Sequence, residues 1–112
     1  MTIRLTISDR VTFRVDGTIA AEDGRRVPFD FQLTAERVDA ETLRNEHARE
    51  GGLISDFLRP RVTAWRGVLD ADGKEAEFSP QAFDALLAQP GIAAVVYFAY
   101  VEAVSAKGRG KN

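Results

Sequence analysis

The sequence contains no cysteine in its 112 residues. Disulfides, thiolate nucleophiles and thiolate metal sites are therefore excluded. A small chain without disulfides is typical of a reducing compartment, so we expect this protein in the cytoplasm.

Long apolar segments are also missing. The longest apolar run, residues 92–101, has ten residues, which is about half the length of a membrane-spanning helix. At the N-terminus apolar and polar residues alternate, whereas a signal peptide has a continuous apolar segment. We therefore expect neither a membrane partner nor a signal peptide.

Neither sign of charge dominates the chain, which has 15 basic and 17 acidic residues and a net charge of -2. Domains dedicated to nucleic acid usually carry an excess of positive charge, so we do not expect nucleic acid as a partner. Hydrophobic residues make up 45% of the sequence. That content and the chain length predict one globular domain with a modest core.

The sequence has few residues that could catalyse a reaction. The only histidine, His47, lies in a charged stretch and is interpreted as a surface side chain. The segment Asp70-Ala71-Asp72-Gly73 lacks the first ligand and the bidentate glutamate of a calcium loop, so it is interpreted as a turn. We predict a non-enzymatic protein with no catalytic residue, no cofactor and no metal site.

The first third of the chain has the period-two pattern of β-strands. Odd positions between residues 3 and 19 are apolar apart from Asp9 and Gly17, and residues 27–33 alternate in the same way. We predict an antiparallel hairpin or meander over residues 1–34, with a bend at residues 8–10. A tight turn is predicted at Asp23-Gly24. Pro28 cannot donate a ladder hydrogen bond, which predicts an edge position for the second run.

The rest of the chain, residues 35–106, is predicted to be mainly helical, which makes the fold class α+β. About four helices are expected, with Asp39 and Ser79 as N-caps and a short hairpin or turn near residues 65–78. The last helix is expected from residue 92 to residue 106. Its β-branched residues leave a strand as the alternative over residues 92–101. Residues 107–112 are predicted to be a flexible tail.

The only tryptophan, Trp65, lies among three arginines, Arg59, Arg61 and Arg66. Tryptophan and arginine are enriched at protein interfaces, so these four residues are candidate protein-binding residues. The same composition also suits single-stranded nucleic acid, which the net charge disfavours. A third alternative is that Trp65 packs on the core while the arginine stems cover apolar surface.

Several segments that together cover most of the chain carry a resemblance to a known family. They follow a β-rich start and comprise Val27-Pro28-Phe29-Asp30-Phe31, Arg37-Val38-Asp39-Ala40-Glu41, Trp65-Arg66-Gly67-Val68, Asp70-Ala71-Asp72-Gly73, Phe78-Ser79-Pro80 and the terminal Lys111-Asn112. In this combination the chain resembles the small tail assembly chaperones of long-tailed bacteriophages and prophages.

The resemblance implies a non-enzymatic protein made in the cytoplasm of the bacterial host and absent from the finished virion. Its implied partners are the tape-measure protein, which such chaperones coat, and the tail-tube subunits that they help to recruit. The alternative is a structural component of the tail or neck that stays in the virion. We also consider a homo-oligomer, because an edge strand can pair across a two-fold axis.

The last three residues carry a separate prediction. Many proteins of this family are extended by a programmed ribosomal frameshift near the end of the gene. Gly110-Lys111-Asn112 can be encoded as GGA-AAA-AAC, which ends in a slippery sequence, and we expect the gene to use it. The gene sequence is the test. Codons that interrupt the run of A bases, with no overlapping downstream frame, would contradict the prediction.

Overall fold

A computed structural model describes residues 2–5, 7–49 and 51–108 and confirms the predicted α+β fold. Three antiparallel strands form one sheet in the order β1-β2-β3, and helices cover one of its faces. The elements in chain order are β1 (Arg10–Ala20), β2 (Arg26–Glu36), α1 (Ala40–Ala48), α2 (Ile54–Leu58), β3 (Val62–Arg66), α3 (Pro80–Leu87) and α4 (Ile92–Val104).

The first two strands form a long hairpin whose turn lies at the predicted place. They pair over their full length, from Arg10 opposite Glu36 to Ala20 opposite Arg26. Gly24 adopts a φ of 85° and donates its N–H to the carbonyl of Ala21 at 2.9 Å. Glycine tolerates that left-handed conformation, so the Asp23-Gly24 turn is confirmed.

The predicted edge position of the second run is wrong for the strand as a whole, because β2 is the central strand. β3 pairs only with residues 32–35 of β2, however, and Pro28 lies beyond that stretch. Glu36 donates its N–H away from β1, to the carbonyl of Arg61. Pro28 is an even number of residues from Glu36, so its missing N–H also faces away from β1, where β3 does not reach.

The described residues of the alternating segment, 3–5 and 7–8, do not form a strand. β1 begins only at Arg10, and the side chains of Ile3, Leu5 and Ile7 are 91%, 107% and 60% exposed. The β1–β2 ladder continues to Asp9, whose carbonyl accepts the N–H of Arg37 at 2.8 Å. Beyond that point the chain between β2 and α1 turns away, so the first residues have no strand beside them.

Both predicted N-caps are confirmed. Asp39 accepts the N–H of Thr42 at 2.8 Å, and Ser79 accepts the N–H of Ala82 at 3.0 Å, with Pro80 at the first helical position. The Thr42 hydrogen bonds favour the carboxylate and lower the pKa of Asp39.

The last element is a helix, which settles the alternative of a strand over residues 92–101. It ends at Val104 instead of residue 106. Gly91 precedes it with a φ of 86°, a conformation that reverses the chain after α3. Of the predicted tail only Lys107 and Gly108 lie within the described residues, and Gly110-Lys111-Asn112 lies outside them.

The core forms between the helices and the inner face of the sheet, on which the odd residues of β1 and β2 lie. At its centre Tyr100 of α4 is fully buried and packs edge-on against Phe13 and Phe57, with ring centroids 5.9 and 5.8 Å apart. Its hydroxyl donates to the carbonyl of Glu36 at 2.7 Å, and burial raises its pKa. The other buried residues are Val15, Phe31, Leu33, Ala35, Leu58, Val62, Phe83, Leu87, Ile92, Val96 and Tyr97.

No single helix among the described residues is long and apolar enough to cross a membrane. α3 and α4 meet the length and composition criteria only when taken together, and their axes are bent by 108° at the break between them.

The hydroxyl of Tyr100 provides a test of how α4 is held on the sheet. Tyr100→Phe removes the hydrogen bond and leaves the Glu36 carbonyl without that donor, so we expect a loss of about 1 to 3 kcal/mol in the free energy of unfolding. Tyr97→Phe is the matched control, because among the described residues the hydrogen-bond partner of its hydroxyl is the exposed His47, at 3.3 Å. It should cost less than about 0.5 kcal/mol. Equal losses in urea unfolding would contradict this account.

Candidate protein-binding site

Trp65 lies on the inner face of β3, directly opposite Leu33 of β2. Its indole N–H donates to the carbonyl of Ala76 at 2.8 Å, and its ring stands at 88° to that of Phe78 with centroids 5.2 Å apart. The side chain is half-buried. The indole N–H and the ring therefore both have partners inside the domain. Trp65 acts as a packing residue that holds the segment after β3.

The segment after β3 is the predicted short hairpin. Leu69 and Glu75 form an antiparallel bridge, and Ala76 donates its N–H to the carbonyl of Val68 at 2.7 Å. At its tip one carboxylate oxygen of Asp70 accepts the N–H groups of Asp72 and Lys74, at 2.9 and 3.1 Å. The acidic segment thus folds as a side-chain-stabilised turn.

Arg59 ties two helices together. Its guanidinium contacts Asp56 of α2 and Asp84 of α3, each at 2.6 Å. The hydrogen bond to Asp84, followed by the nearby negative charges, raises the pKa of Arg59. All three side chains are about half exposed, so the triad fixes orientation more than it adds stability.

Arg61 is also used within the domain. Its guanidinium lies 4.0 Å from the centroid of the Phe57 ring, and it donates to the Phe57 carbonyl at 2.7 Å. A cation over an aromatic face is a favourable contact, and the side chain is partly buried. Two of the three predicted arginines therefore have internal partners.

Arg66 differs from the other candidates because it lies on the solvent face of the sheet, opposite Gln32. Adjacent residues of a strand point to opposite faces, so Arg66 and Trp65 do not share a surface. Arg66 is exposed and forms no ion pair within the described residues. The four residues that are close in sequence thus form three separate environments instead of one basic patch.

The hairpin after β3 adds an exposed apolar side chain near Arg66. Leu69 is 61% exposed and follows Arg66 by three residues, so their Cα atoms lie within about 11 Å of each other. We call Arg66 and Leu69 the hairpin surface. An exposed cation next to an exposed aliphatic side chain suits contact with another protein.

A second surface was missed by sequence reasoning. A groove of about 610 Å³ runs between β1 and α4, lined by Phe13, Arg14 and Asp16 of the strand and by Val95, Phe98 and Ala99 of the helix. Phe98 is 68% exposed at its rim. We call it the β1–α4 groove. α4 is apolar nearly all round, so its residue pattern does not indicate which side of the helix is exposed to solvent.

Charges on the solvent face of β1 and β2 are unbalanced beside this groove. Asp16 and Asp30 lie directly opposite each other in the ladder. Arg14 reaches both carboxylates, at 2.8 Å from Asp30 and 3.8 Å from Asp16. Like charges in this position are unfavourable, so the pair retains capacity for a second cation.

The described residues form no cluster of three or more His, Asp or Glu side chains that could hold a metal ion. His47 lies on the surface of α1, with its ring edge-on to Tyr97. What the described arrangement offers is surface for contact: apolar side chains, two sheet edges and a few exposed charges.

A substitution at Trp65 tests its structural role. Trp65→Phe loses the hydrogen bond to Ala76 and part of the contact with Phe78, so we expect the free energy of unfolding to fall by about 1 to 2 kcal/mol. Arg66→Gln, its neighbour on the opposite face, should change it by less than about 0.5 kcal/mol. Circular dichroism in urea measures both. A neutral Trp65→Phe would show that the indole is not needed for packing.

The chain matches no protein-family model, no curated protein and no solved structure.

Proposed function

We propose that this protein is a non-enzymatic tail assembly chaperone of a phage or prophage. In this role it works in the cytoplasm of the bacterial host, where it binds the tape-measure protein and tail-tube subunits. The observation that carries the proposal is the amount of apolar side chain left outside a well-filled core. Support for the specific client comes from the sequence resemblance.

Within the described part of the chain, six large apolar side chains are at least 60% exposed: Ile3, Leu5, Ile7, Leu53, Leu69 and Phe98. Single exposed apolar residues are common on any protein, but here three lie in one alternating segment and Phe98 lines a groove. Large apolar surfaces of this kind mark interaction sites. An assembly protein that binds a client and also associates with further copies of itself needs such surface.

The hairpin surface is the candidate client site, and it contains one of the four predicted residues, Arg66. Arg66 is the predicted arginine whose guanidinium has no partner inside the described domain, and Leu69 provides apolar contact beside it. Trp65 holds the hairpin from the inner face through Ala76 and Phe78, whereas Arg59 and Arg61 bind Asp84 and Phe57. We assign client contact to Arg66 and Leu69 and a supporting role to Trp65.

Co-expression with the tape-measure protein of the same genome tests the proposal. We expect its gene immediately downstream and expect the two proteins to copurify as a soluble complex. The double variant Arg66→Glu/Leu69→Asp should weaken the complex about tenfold, equal to about 1.4 kcal/mol. The control Arg44→Glu/Leu53→Asp places the same changes on α1 and before α2, where Leu53 is 62% exposed, and should bind like the unmodified chain.

Two outcomes would contradict the proposal. If the unmodified protein forms no complex with the tape-measure protein, the chaperone role is wrong. If it binds but is found in purified virions, the alternative role as a structural tail or neck component replaces it. Equal weakening by both double variants would reject the hairpin surface as the client site.

A further inference from the structure

No strand among the described residues lies along the outer edge of β1. Two of its outward backbone groups have side-chain partners: the N–H of Arg10 donates to Ser8 Oγ at 3.2 Å, and the carbonyl of Thr18 accepts from the Arg26 guanidinium at 3.1 Å. Ala21 donates its N–H to Arg25, and Asp9 accepts from Arg37, so the odd residues of this strand direct their backbone groups towards β2. The even residues direct theirs away from the sheet, where the structure places no other strand. These outward residues are Arg10, Thr12, Arg14, Asp16, Thr18 and Ala20. Such an edge is a template for a further strand.

The N-terminal segment, by contrast, lacks a partner strand among the described residues. Its sequence has the alternation of a half-buried strand, yet Ile3, Leu5 and Ile7 are exposed to solvent. It is joined directly to β1 through Asp9, at which the chain bends and whose carbonyl accepts the N–H of Arg37. The N-terminal segment thus has the sequence pattern of a strand, and the outer edge of β1 lacks a neighbouring strand.

We propose that residues 2–8 of one copy add to β1 of a second copy as an antiparallel strand, above the β1–α4 groove. One register fits both faces. It places Arg4 opposite Asp16, Leu5 opposite Val15 and Ile7 opposite Phe13. The apolar side chains then point towards α4, where Val95, Ala99 and Phe98 line the groove.

Charge complementarity selects this register. Asp16 and Asp30 face each other across the ladder, and each copy has only Arg14 between them. Arg4 of the second copy adds the missing cation on the same solvent face. In each half of the assembly, two carboxylates then face two guanidinium groups.

The same register closes the assembly. In an antiparallel pair the residue numbers of opposite partners add up to a constant, so this register also places Arg10 opposite Arg10 of the second copy. The two-fold axis therefore lies at Arg10, and each copy's segment reaches β1 of the other copy. The result is a reciprocal two-fold dimer in which the outer edge of each β1 is covered by the other copy's segment. The two Arg10 side chains meet at the axis, each beside Glu36 of its own β2.

The segment does not fit the edge of its own chain. A two-residue turn at Ser8 and Asp9 would place Ile7 opposite Arg10 and Leu5 opposite Thr12. This odd-with-even pairing would put the apolar residues on the solvent face and not over α4. A three-residue loop over residues 7–9 would return Ile3 and Leu5 to the inner face, but it would place Arg4 opposite Thr12 and leave Asp16 without its second cation. Full-length pairing of β1 with β1 of a second copy is also disfavoured, because each copy would bring its own α4 into the space of the other's groove.

Disulfide trapping tests the register directly, since the chain has no cysteine of its own. Thr2→Cys and Thr18→Cys proteins, mixed in equal amounts and oxidised, should form the mixed dimer, because opposite Cα atoms lie about 5.5 Å apart. The control mixture of Thr2→Cys with Thr12→Cys places the thiols about 20 Å apart and should not link. Preferential linking of Thr12→Cys with Thr18→Cys would show full β1–β1 pairing and overturn the proposal.

Sedimentation equilibrium provides the second measurement. Leu5→Asp should weaken the dimer about tenfold, and Leu53→Asp should leave it unchanged. Arg4→Asp should also weaken it, and Asp16→Arg in the same chain should restore it. A monomer at all concentrations, or a dimer indifferent to Leu5→Asp, would overturn the proposal. None of these changes touches the hairpin surface, so the client experiment and this one fail independently.

Discussion

Tyr100 is the contact on which the rest of the structure depends. Its ring fills the space between Phe13 of β1 and Phe57 of α2, and its hydroxyl binds the backbone of β2 at Glu36. One side chain of α4 thus fixes the helix to both long strands and to the α2 layer. This position leaves the far side of α4 open, which creates the β1–α4 groove and exposes Phe98.

The two sides of the sheet have different roles in this account. At the β3 side, Trp65 and Phe78 hold a short hairpin that carries Arg66 and Leu69, the proposed client contact. At the β1 side, unpaired backbone and the β1–α4 groove form the proposed site for a second copy. The central strand β2 separates them, so self-association and client binding do not compete for the same residues.

Local signals predicted local structure well. Asp23-Gly24, Asp39 and Ser79 each act within a few residues, so their turn and caps followed from chemistry alone. The arrangement of the candidate site depends on which strands pair and which distant residues meet. A single sequence does not specify these contacts. Trp65 and Arg66 are neighbours in sequence, but strand alternation separates them, and Arg59 and Arg61 acquire partners on other elements. The alternation of residues 3–8 predicted a strand, but the described residues of this segment form none, because alternation specifies which face is apolar and not which strand lies alongside.

Amide hydrogen exchange across a range of protein concentrations tests the central claim, that this segment and the β1 edge are partners in two copies. The amides of Arg4 and Ser8 and the outward amides of Thr12 and Asp16 should become protected together as the concentration rises. The amides of Phe13 and Val15, which face β2, should be protected at every concentration. If the Thr12 and Asp16 amides exchange rapidly even at high concentration, the edge stays unpaired and the account is contradicted.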